Sequence, residues 1–336
     1  MRAVRQLRSR VAWIAAKSLV MLAPLAMSVP AAFAAEWPAG KPITIVMTFP
    51  PGSGVDVAGR LIQEPLEKLL GTRILIDYKA GAGGNIASDF VARARPDGHT
   101  LLLGTSGTHG INATLYRKLP FDVEEDFTPI APLIDVSNVL TINPQVIDVG
   151  SVKEFIDVVK RNPGKYNFAS TGNGTGTQLA FAEFNARAGL DMVHVPYKGG
   201  PDAMLAVLQG EVCCIMNQVQ TVLPHWRSAK VRLLGVTTPM RVEVVSEVPT
   251  IAEAALPGFA NYIWFGLLGP KGMDPQVVSR LNTAVRQVLE MPEVKQKLVD
   301  TGNAVRIESP AQFRETVKRD RARWGELVRS IGVSIE

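Results

Sequence analysis

The chain reads FPPGSGVD from Phe49 to Asp56, between two segments of different periodicity. Before it, Ile43 to Thr48 is a short uncharged run of mainly β-branched and apolar residues, which predicts a strand. After it, apolar residues recur at helical spacing as far as Leu70. The stretch is therefore predicted to be a strand-to-helix turn, in which Gly52 and Gly54 let a backbone or a ligand approach closely.

This first turn, residues 49–56, is a candidate anion site, because free backbone N–H groups at the start of a helix attract negative charge. Ser53 adds a hydroxyl, and Asp56 is placed to cap the helix. No GxxxxGK[ST] motif occurs and Arg60 stands inside the helix, so the turn is not a nucleoside triphosphate site. An ordinary glycine-rich connection is the alternative interpretation of this turn by itself.

A second glycine-rich stretch, STGNGTGT, runs from Ser170 to Thr177. It follows another strand-like run, Tyr166 to Ala169, and precedes a helical pattern that begins near Leu179. Its glycines expose backbone amides, and its hydroxyls can donate to a carboxylate. This second turn can therefore face the first across a cleft, and a flexible low-complexity loop is the alternative.

The first 34 residues have the pattern of a secretory signal peptide. Basic residues come first, an apolar core runs from Leu19 to about Val29, and Ala32-Phe33-Ala34 ends the segment. Cleavage is predicted after Ala34, with Ala35 as the alternative. The apolar core is shorter than the roughly 20 residues that span a bilayer, so we expect no retained membrane anchor and a mature chain in the periplasm.

Removal of this leader changes the charge of the chain. The full sequence has 36 Lys and Arg against 31 Asp and Glu, and loss of the five basic residues of the leader leaves 31 against 31. A formally neutral protein gives no support for nucleic acid or an anionic membrane as a partner. The 302 residues that follow Ala34 exceed one ordinary core and predict two lobes.

No motif predicts a catalytic residue, a metal site or a cofactor. There is no GxSxG elbow, the four histidines are scattered without HExxH spacing, and GAGGN at Gly81–Asn85 is a weak dinucleotide signal. Cys213 and Cys214 are adjacent and are predicted to be buried thiols rather than a disulfide. Binding is therefore a more economical function than catalysis.

Strand-like and helical segments alternate along most of the chain, which predicts an α/β fold with a parallel sheet. The long extended run at residues 130–143 is interpreted as a crossing into a second lobe. Residues 231–237 form another extended run, and an irregular stretch to Gly269 would carry the chain back; amphipathic helices follow Pro275, with Trp324 in the core. The predicted lobes are 36–136 with 238–336, and 137–237.

Several segments together resemble one family. KPITIVMTFPPGSGVDVAGR, KAGAGGNIASDFVARARPDGHTLLLGT, STGNGTGTQLAFAEF, HVPYKGG, EVPTIAEAALPGF and WFGLLGPKG occur in this order and cover the mature chain from Trp37. The chain resembles the Bug family, the periplasmic substrate-binding receptors of tripartite tricarboxylate transporters. The resemblance implies a two-lobed periplasmic binding protein of type II, a Venus flytrap, with a ligand cleft between the lobes.

The resemblance also implies which residues bind a carboxylate. They are Phe49, Gly52, Ser53, Gly54 and Asp56 in the first turn, Thr105, Ser106 and Thr108 after the third strand, Thr171, Asn173, Gly174, Thr175 and Thr177 in the second turn, and Tyr197, Lys198 and Asp202 near the cleft. Ser53 replaces a usual glycine, Gln178 stands where histidine is common, and Asp202 and Ala206 stand where proline and aspartate are frequent. Phe49, Trp264 and Phe265 are candidates for an aromatic wall.

The implied function is a non-enzymatic periplasmic receptor, without a cofactor, for a dicarboxylate, tricarboxylate or aromatic carboxylate. It would act as a monomer, close by hinge motion and present the solute to integral membrane transporter subunits. Two alternatives stay open: an exported α/β enzyme acting on a carboxylated substrate, and a receptor that serves a sensory kinase. Closure on a ligand without turnover would separate both receptors from the enzyme.

Overall fold

The computed structural model describes residues 37–332 and 334–335 of the chain. The expected signal peptide, residues 1–34, lies outside this part, and so do both expected cleavage positions, Ala34 and Ala35. Every helix in the described part is too short or too polar to span a bilayer.

Strands and helices alternate through the first lobe. β1 (Ile43–Met47) is followed by α1 (Gly54–Leu70), β2 (Ile74–Tyr78), a 3₁₀ turn (Ala82–Gly84), α2 (Asn85–Ala92), β3 (Thr100–Thr105), a π-helical turn (Gly107–Ile111) and α3 (Asn112–Leu115). β1 pairs in parallel with both β2 and β3, so the strand order is β2-β1-β3. The predicted alternation and parallel sheet are confirmed, and β1 is buried because helices cover both faces of such a sheet.

A single long strand belongs to two sheets. β4 (Phe127–Ile142) pairs in antiparallel fashion with β9 (Tyr262–Pro270) over its first part, and with β7 (Cys214–Gln218) and β8 (Arg232–Val236) over its last part. The extended run predicted at residues 130–143 is therefore confirmed. Because the strand is shared, the two sheets meet without a flexible linker between them.

The second lobe repeats the topology of the first, although the sequence shows no repeat. α4 (Val152–Lys160) precedes β5 (Asn167–Ser170), α5 (Gly176–Ala188), β6 (Val193–Pro196), α6 (Gly200–Gln209), β7 and α7 (Val219–Arg227). β5 pairs in parallel with β6 and β7, so β5, β6 and β7 correspond to β1, β2 and β3. The carboxyl end of the central strand carries the first turn in one lobe and the second turn in the other.

The segment between β8 and β9 packs with the second lobe. It contains a 3₁₀ turn (Glu243–Val245) and α8 (Ile251–Ala254), and its buried Val245, Ile251 and Phe259 belong to the second-lobe cores. The irregular stretch predicted to reach Gly269 is wrong from Tyr262 onward, since β9 begins there. We therefore propose that the chain recrosses at the buried Asn261 rather than near residue 238.

Helices complete the first lobe at the end of the chain. They are α9 (Pro275–Glu290), α10 (Pro292–Asp300) and α11 (Pro310–Ile331), with the short strand β10 (Asn303–Val305) between the last two. These are the predicted amphipathic helices, and α9 and α10 pack on the core that also contains β1 and α1. Trp324 of α11 is buried as predicted, in a cluster with Leu115 and Leu179 that joins the two lobes.

Candidate ligand-binding site

Ser53, and not Asp56, caps the helix that follows the first turn. The Ser53 backbone is extended, and its Oγ accepts a hydrogen bond from Asp56 N at 3.3 Å. The predicted cap at Asp56 is wrong because Asp56 already lies in the first helical turn. Gly54 N and Val55 N have no acceptor among the described residues, so two donors stay available at the positive end of the α1 dipole.

The Asp56 carboxylate holds the first turn together. It accepts hydrogen bonds from Gly52 N at 2.7 Å, from Tyr78 Oη at 2.6 Å and from Arg60 Nε at 2.8 Å. Burial acts to raise the pKa of Asp56, but these three donors outweigh it and the pKa lies below its ordinary value. Asp56 is therefore ionised and links the turn to α1 and β2, and its part in ligand binding stays a prediction.

Hydroxyl groups bond to one another across the second turn. Thr177 Oγ1 accepts a hydrogen bond from Thr171 N at 2.9 Å and lies 3.0 Å from Thr175 Oγ1, which donates to Gly172 O at 2.7 Å. These contacts fold the turn over the start of α5. The first three N–H groups of α5, at Gly176, Thr177 and Gln178, have no acceptor in the described part of the chain.

A histidine supports the second turn from the neighbouring strand. His194 on β6 places Nε2 2.6 Å from Ser170 Oγ and Nδ1 3.1 Å from Gln178 Nε2. Gln178 Oε1 in turn accepts a hydrogen bond from Gly174 N at 2.5 Å. Asn173, which was predicted to bind the ligand, lies between these anchored positions and is exposed.

One face of β9 brings the two turns together. Ile263 and Phe265 are two residues apart, so they lie on the same side of the strand at a spacing of about 7 Å. A Cβ on Gly176 would lie 3.1 Å from Ile263, and a Cβ on Gly54 would lie 3.5 Å from the Phe265 ring. The amino termini of α1 and α5, one from each lobe, therefore meet at neighbouring places on this face.

Two glutamines that the sequence analysis missed face the first turn from the second lobe. A Cβ on Gly54 would lie 2.8 Å from Gln220 Nε2 and 2.9 Å from Gln218 Oε1, and these two amides are hydrogen-bonded to each other at 2.9 Å. Gln218 ends β7, the counterpart of β3, and Gln220 lies in the first turn of α7. Their position at the end of a third parallel strand could have pointed to them, since the carboxyl ends of parallel strands meet at the same edge of a sheet.

The residues predicted as a wall after β3 are buried. Thr105 N donates to Thr108 Oγ1 at 3.0 Å, Thr108 N donates to Thr105 Oγ1 at 3.2 Å, and Ser106 Oγ accepts from Trp264 N at 2.9 Å. All three are at most 2% exposed. Their side chains are therefore buried and do not lie on an open surface.

The side chains of Tyr197, Lys198 and Asp202 are not brought to the two turns. With Glu211 and other residues of the second lobe they line a surface depression of about 430 Å³. Tyr197 Oη donates to Glu211 at 3.3 Å, and it is the Tyr197 carbonyl that approaches Gly172. These side chains line the depression because Tyr197 leaves the edge strand β6 toward α6, and their part in ligand binding stays a prediction.

The three candidate residues of the aromatic wall differ in their surroundings. Trp264 is fully buried and donates from Nε1 to Asp320 at 2.7 Å, on the opposite side of β9 from Phe265. Phe49 is partly buried and packs against the first-lobe core. The Phe265 ring lies 3.5 Å from the position that a Cβ on Gly54 would occupy. The aromatic wall stays a prediction.

No metal centre is found in residues 37–332 and 334–335, where no three His, Cys, Asp or Glu side chains are grouped to hold an ion. Cys213 and Cys214 are buried free thiols, as predicted. The arrangement at the two turns thus consists of backbone amides, hydroxyls and side-chain amides. Such groups are suited to holding an anion through oriented dipoles.

The sequence pattern of one protein family, described as 'Tripartite tricarboxylate transporter family receptor', matches residues 58–333 of this chain. The protein BugT of Bordetella pertussis is 32% identical over 297 residues, which are 88% of this chain and 91% of BugT.

Solved structures give the same result. A Rhodopseudomonas palustris protein solved with adipate has a TM-score of 0.81 and 30% identity, covering 89% of this chain and 99% of that one. MatC from R. palustris with bound malate has a TM-score of 0.75 and 34% identity, covering 85% and 98%. The chain therefore belongs to the tripartite tricarboxylate transporter receptor family and has its two-lobed periplasmic-binding-protein fold.

Proposed function

We propose that this protein captures a small organic acid in the periplasm, after cleavage of its signal peptide, and hands it to the membrane subunits of a tripartite tricarboxylate-type transporter without chemical turnover. One observation carries the proposal: the amino termini of α1 and α5, with unpaired N–H groups, meet on one face of β9. A carboxylate between these two helix ends would accept hydrogen bonds from both lobes and would favour closure of the cleft. The adipate and malate found in two relatives support this ligand class.

The ligand is tested by thermal shift and then calorimetry against adipate, malate, citrate and benzoate. Binding to the native state raises the melting temperature by mass action. Each hit is incubated with the protein and analysed for product. Saturable binding with the acid recovered unchanged is the expected result, whereas conversion of an acid would favour an enzyme.

Ser53→Asp separates binding from folding, because aspartate is as good an N-cap as serine but adds a negative charge beside the anion site. We expect the melting temperature without ligand to stay within a few degrees and adipate binding to fall by a factor of about 100, from a like-charge repulsion of roughly 3 kcal/mol.

The matched control is Ser151→Asp. Ser151 caps α4 in the same way, accepting from Glu154 N at 3.1 Å, but lies away from both turns. This variant should bind adipate like the wild type. Unchanged affinity in Ser53→Asp would remove the first turn from the site.

A further inference from the structure

The hydrogen bonds around Gln178 determine the proton position on His194. An amide side chain offers one accepting oxygen and one donating NH₂ group. Gln178 Oε1 is used by Gly174 N–H, so Gln178 Nε2 faces His194 Nδ1 as a donor. Nδ1 must therefore be unprotonated, and Nε2 carries the ring proton and donates it to Ser170 Oγ. Neutral His194 satisfies every group in this chain of contacts.

Protonation of the ring would disturb the chain at one defined place. A proton on Nδ1 would face the NH₂ group of Gln178, so the amide would have to rotate to present its oxygen. Gly174 N would then lose its acceptor. Gly174 has a φ of +73° and lies in the middle of the turn, so its backbone depends on this bond for a fixed orientation.

We propose that Gln178 and His194 are positioning residues, which hold the second turn in its ligand-binding shape only while His194 is neutral. The inference rests on the proposed function, because it assigns a consequence to the same site. Neither side chain needs to touch the ligand. Acidification would loosen the turn at Gly174 and weaken carboxylate binding.

The surroundings of the ring favour the neutral form. His194 is partly buried and stacks on Phe168 of β5 with ring centroids 5.1 Å apart. Its other contacts, Ser170 of β5 and Gln178 of α5, are uncharged, and no titratable group is in contact with the ring among the described residues. Burial accordingly lowers the pKa of His194 below its ordinary value.

The first experiment needs no ligand. In ¹⁵N-labelled protein, nuclear magnetic resonance follows the His194 ring and the Gly174 amide from pH 8 to pH 4.5. We expect the Gly174 amide to shift with the same midpoint as the ring in the wild type, and to lose this transition in His194→Gln. A Gly174 amide that does not follow the ring would overturn the proposal.

The second experiment measures adipate affinity at pH 7.5 and pH 5.0. Protonation of adipate weakens binding equally in all variants. The ratio of affinities between two variants therefore reports only the effect of pH on the protein. The wild type should lose more affinity than His194→Gln, up to the limit of about fivefold set by one hydrogen bond worth about 1 kcal/mol. His225→Gln, a control on α7, should match the wild type. Parallel profiles for wild type and His194→Gln would contradict the proposal.

Gln178→Glu removes the requirement. One oxygen of the new carboxylate can accept from Gly174 N at any pH, and the other can accept from an Nδ1–H group. The Gly174 amide should then stay ordered at low pH and lose the transition that it shows in the wild type. If no acid binds the wild type at pH 7.5, the proposed function fails, while the amide titration still decides this inference.

Discussion

At the residue scale, Asp56 shows how a charged group can serve the turn without binding the ligand. Its carboxylate accepts from Gly52 N, Tyr78 Oη and Arg60 Nε, and the residue is 4% exposed. The sequence pattern predicts only its place near a helix start. Tyr78 reaches it because β2 and α1 pack side by side, a contact that no local pattern contains. Arg60 reaches it from the next turn of α1, at the i,i+4 spacing of a helical ion pair.

Asp56→Asn should lower the free energy of unfolding by about 1–3 kcal/mol at pH 7, because the amide cannot accept from all three donors. The folded pKa of Asp56 lies below its unfolded value, so this stabilisation is present above the unfolded pKa of about 3.9 and is lost as pH falls through the folded value. Urea unfolding of both proteins at pH 7 and pH 3 checks the expectation. A difference that did not shrink at pH 3 would contradict the ionic role.

At the element scale, the two glycine-rich turns have the same place after corresponding strands but are supported differently. The first uses a carboxylate, and the second uses an amide and an imidazole. The second turn also packs on the first lobe, since a Cβ on Gly174 would lie 2.0 Å from Leu115 of α3. The sequence shows the same strand-turn-helix pattern at both places, without a repeat of the residues themselves, but it does not show how each turn is supported.

Gly174→Ala should cost about 2–4 kcal/mol of unfolding free energy, from left-handed backbone strain and the clash with Leu115. In a Leu115→Ala background the clash is relieved, and the same change should cost only about 1–2 kcal/mol. Gly71→Ala is the control, because Gly71 has a φ of +65° with no atom within 4 Å of the added Cβ. Equal costs in both backgrounds would exclude contact with Leu115. Chemical denaturation of the wild type, the two single variants and the double variant at residues 115 and 174 measures these costs.

At the scale of the whole molecule, the lobes touch where the proposed ligand would lie. Gln218 and Gln220 of the second lobe meet Gly54 of the first. Beside the second turn, Leu179 packs with Leu115 and Trp324 in a cluster that joins the lobes. Hinge motion about β4 and β9 would separate the glutamines from Gly54 and open the cleft.

Gly54→Val should impede closure, since a Cβ there would lie 2.8 Å from Gln220 Nε2. Adipate affinity should fall by about fivefold or more, from an overpacking cost of about 1 kcal/mol or above. Calorimetry measures the affinity, and small-angle scattering with and without adipate measures the compaction. Gly150→Ala, whose Cβ would meet only Glu154 at 3.5 Å, is the control. Normal affinity with normal compaction would show that this contact is absent from the bound state.

Local sequence patterns were enough to predict the alternation of strands and helices, the parallel sheets, the long strand that crosses between them and the two glycine-rich turns. Each of these follows from local periodicity or from residues with special backbone freedom, such as Gly52 and Gly174. The length of the chain predicted two lobes, and the family resemblance added the periplasmic-binding-protein type and the residues expected to bind a carboxylate.

Which polar groups are left without a hydrogen-bond partner within the fold depends on how the sheets pack. Thr105, Ser106 and Thr108 carry suitable hydroxyls, yet their hydrogen bonds are made within the fold, and Tyr197 turns to Glu211. Gln218 and Gln220 have no motif, yet they face Gly54. The physical reason is that hydrogen-bond satisfaction depends on partners distant in sequence, which packing of the sheets brings together.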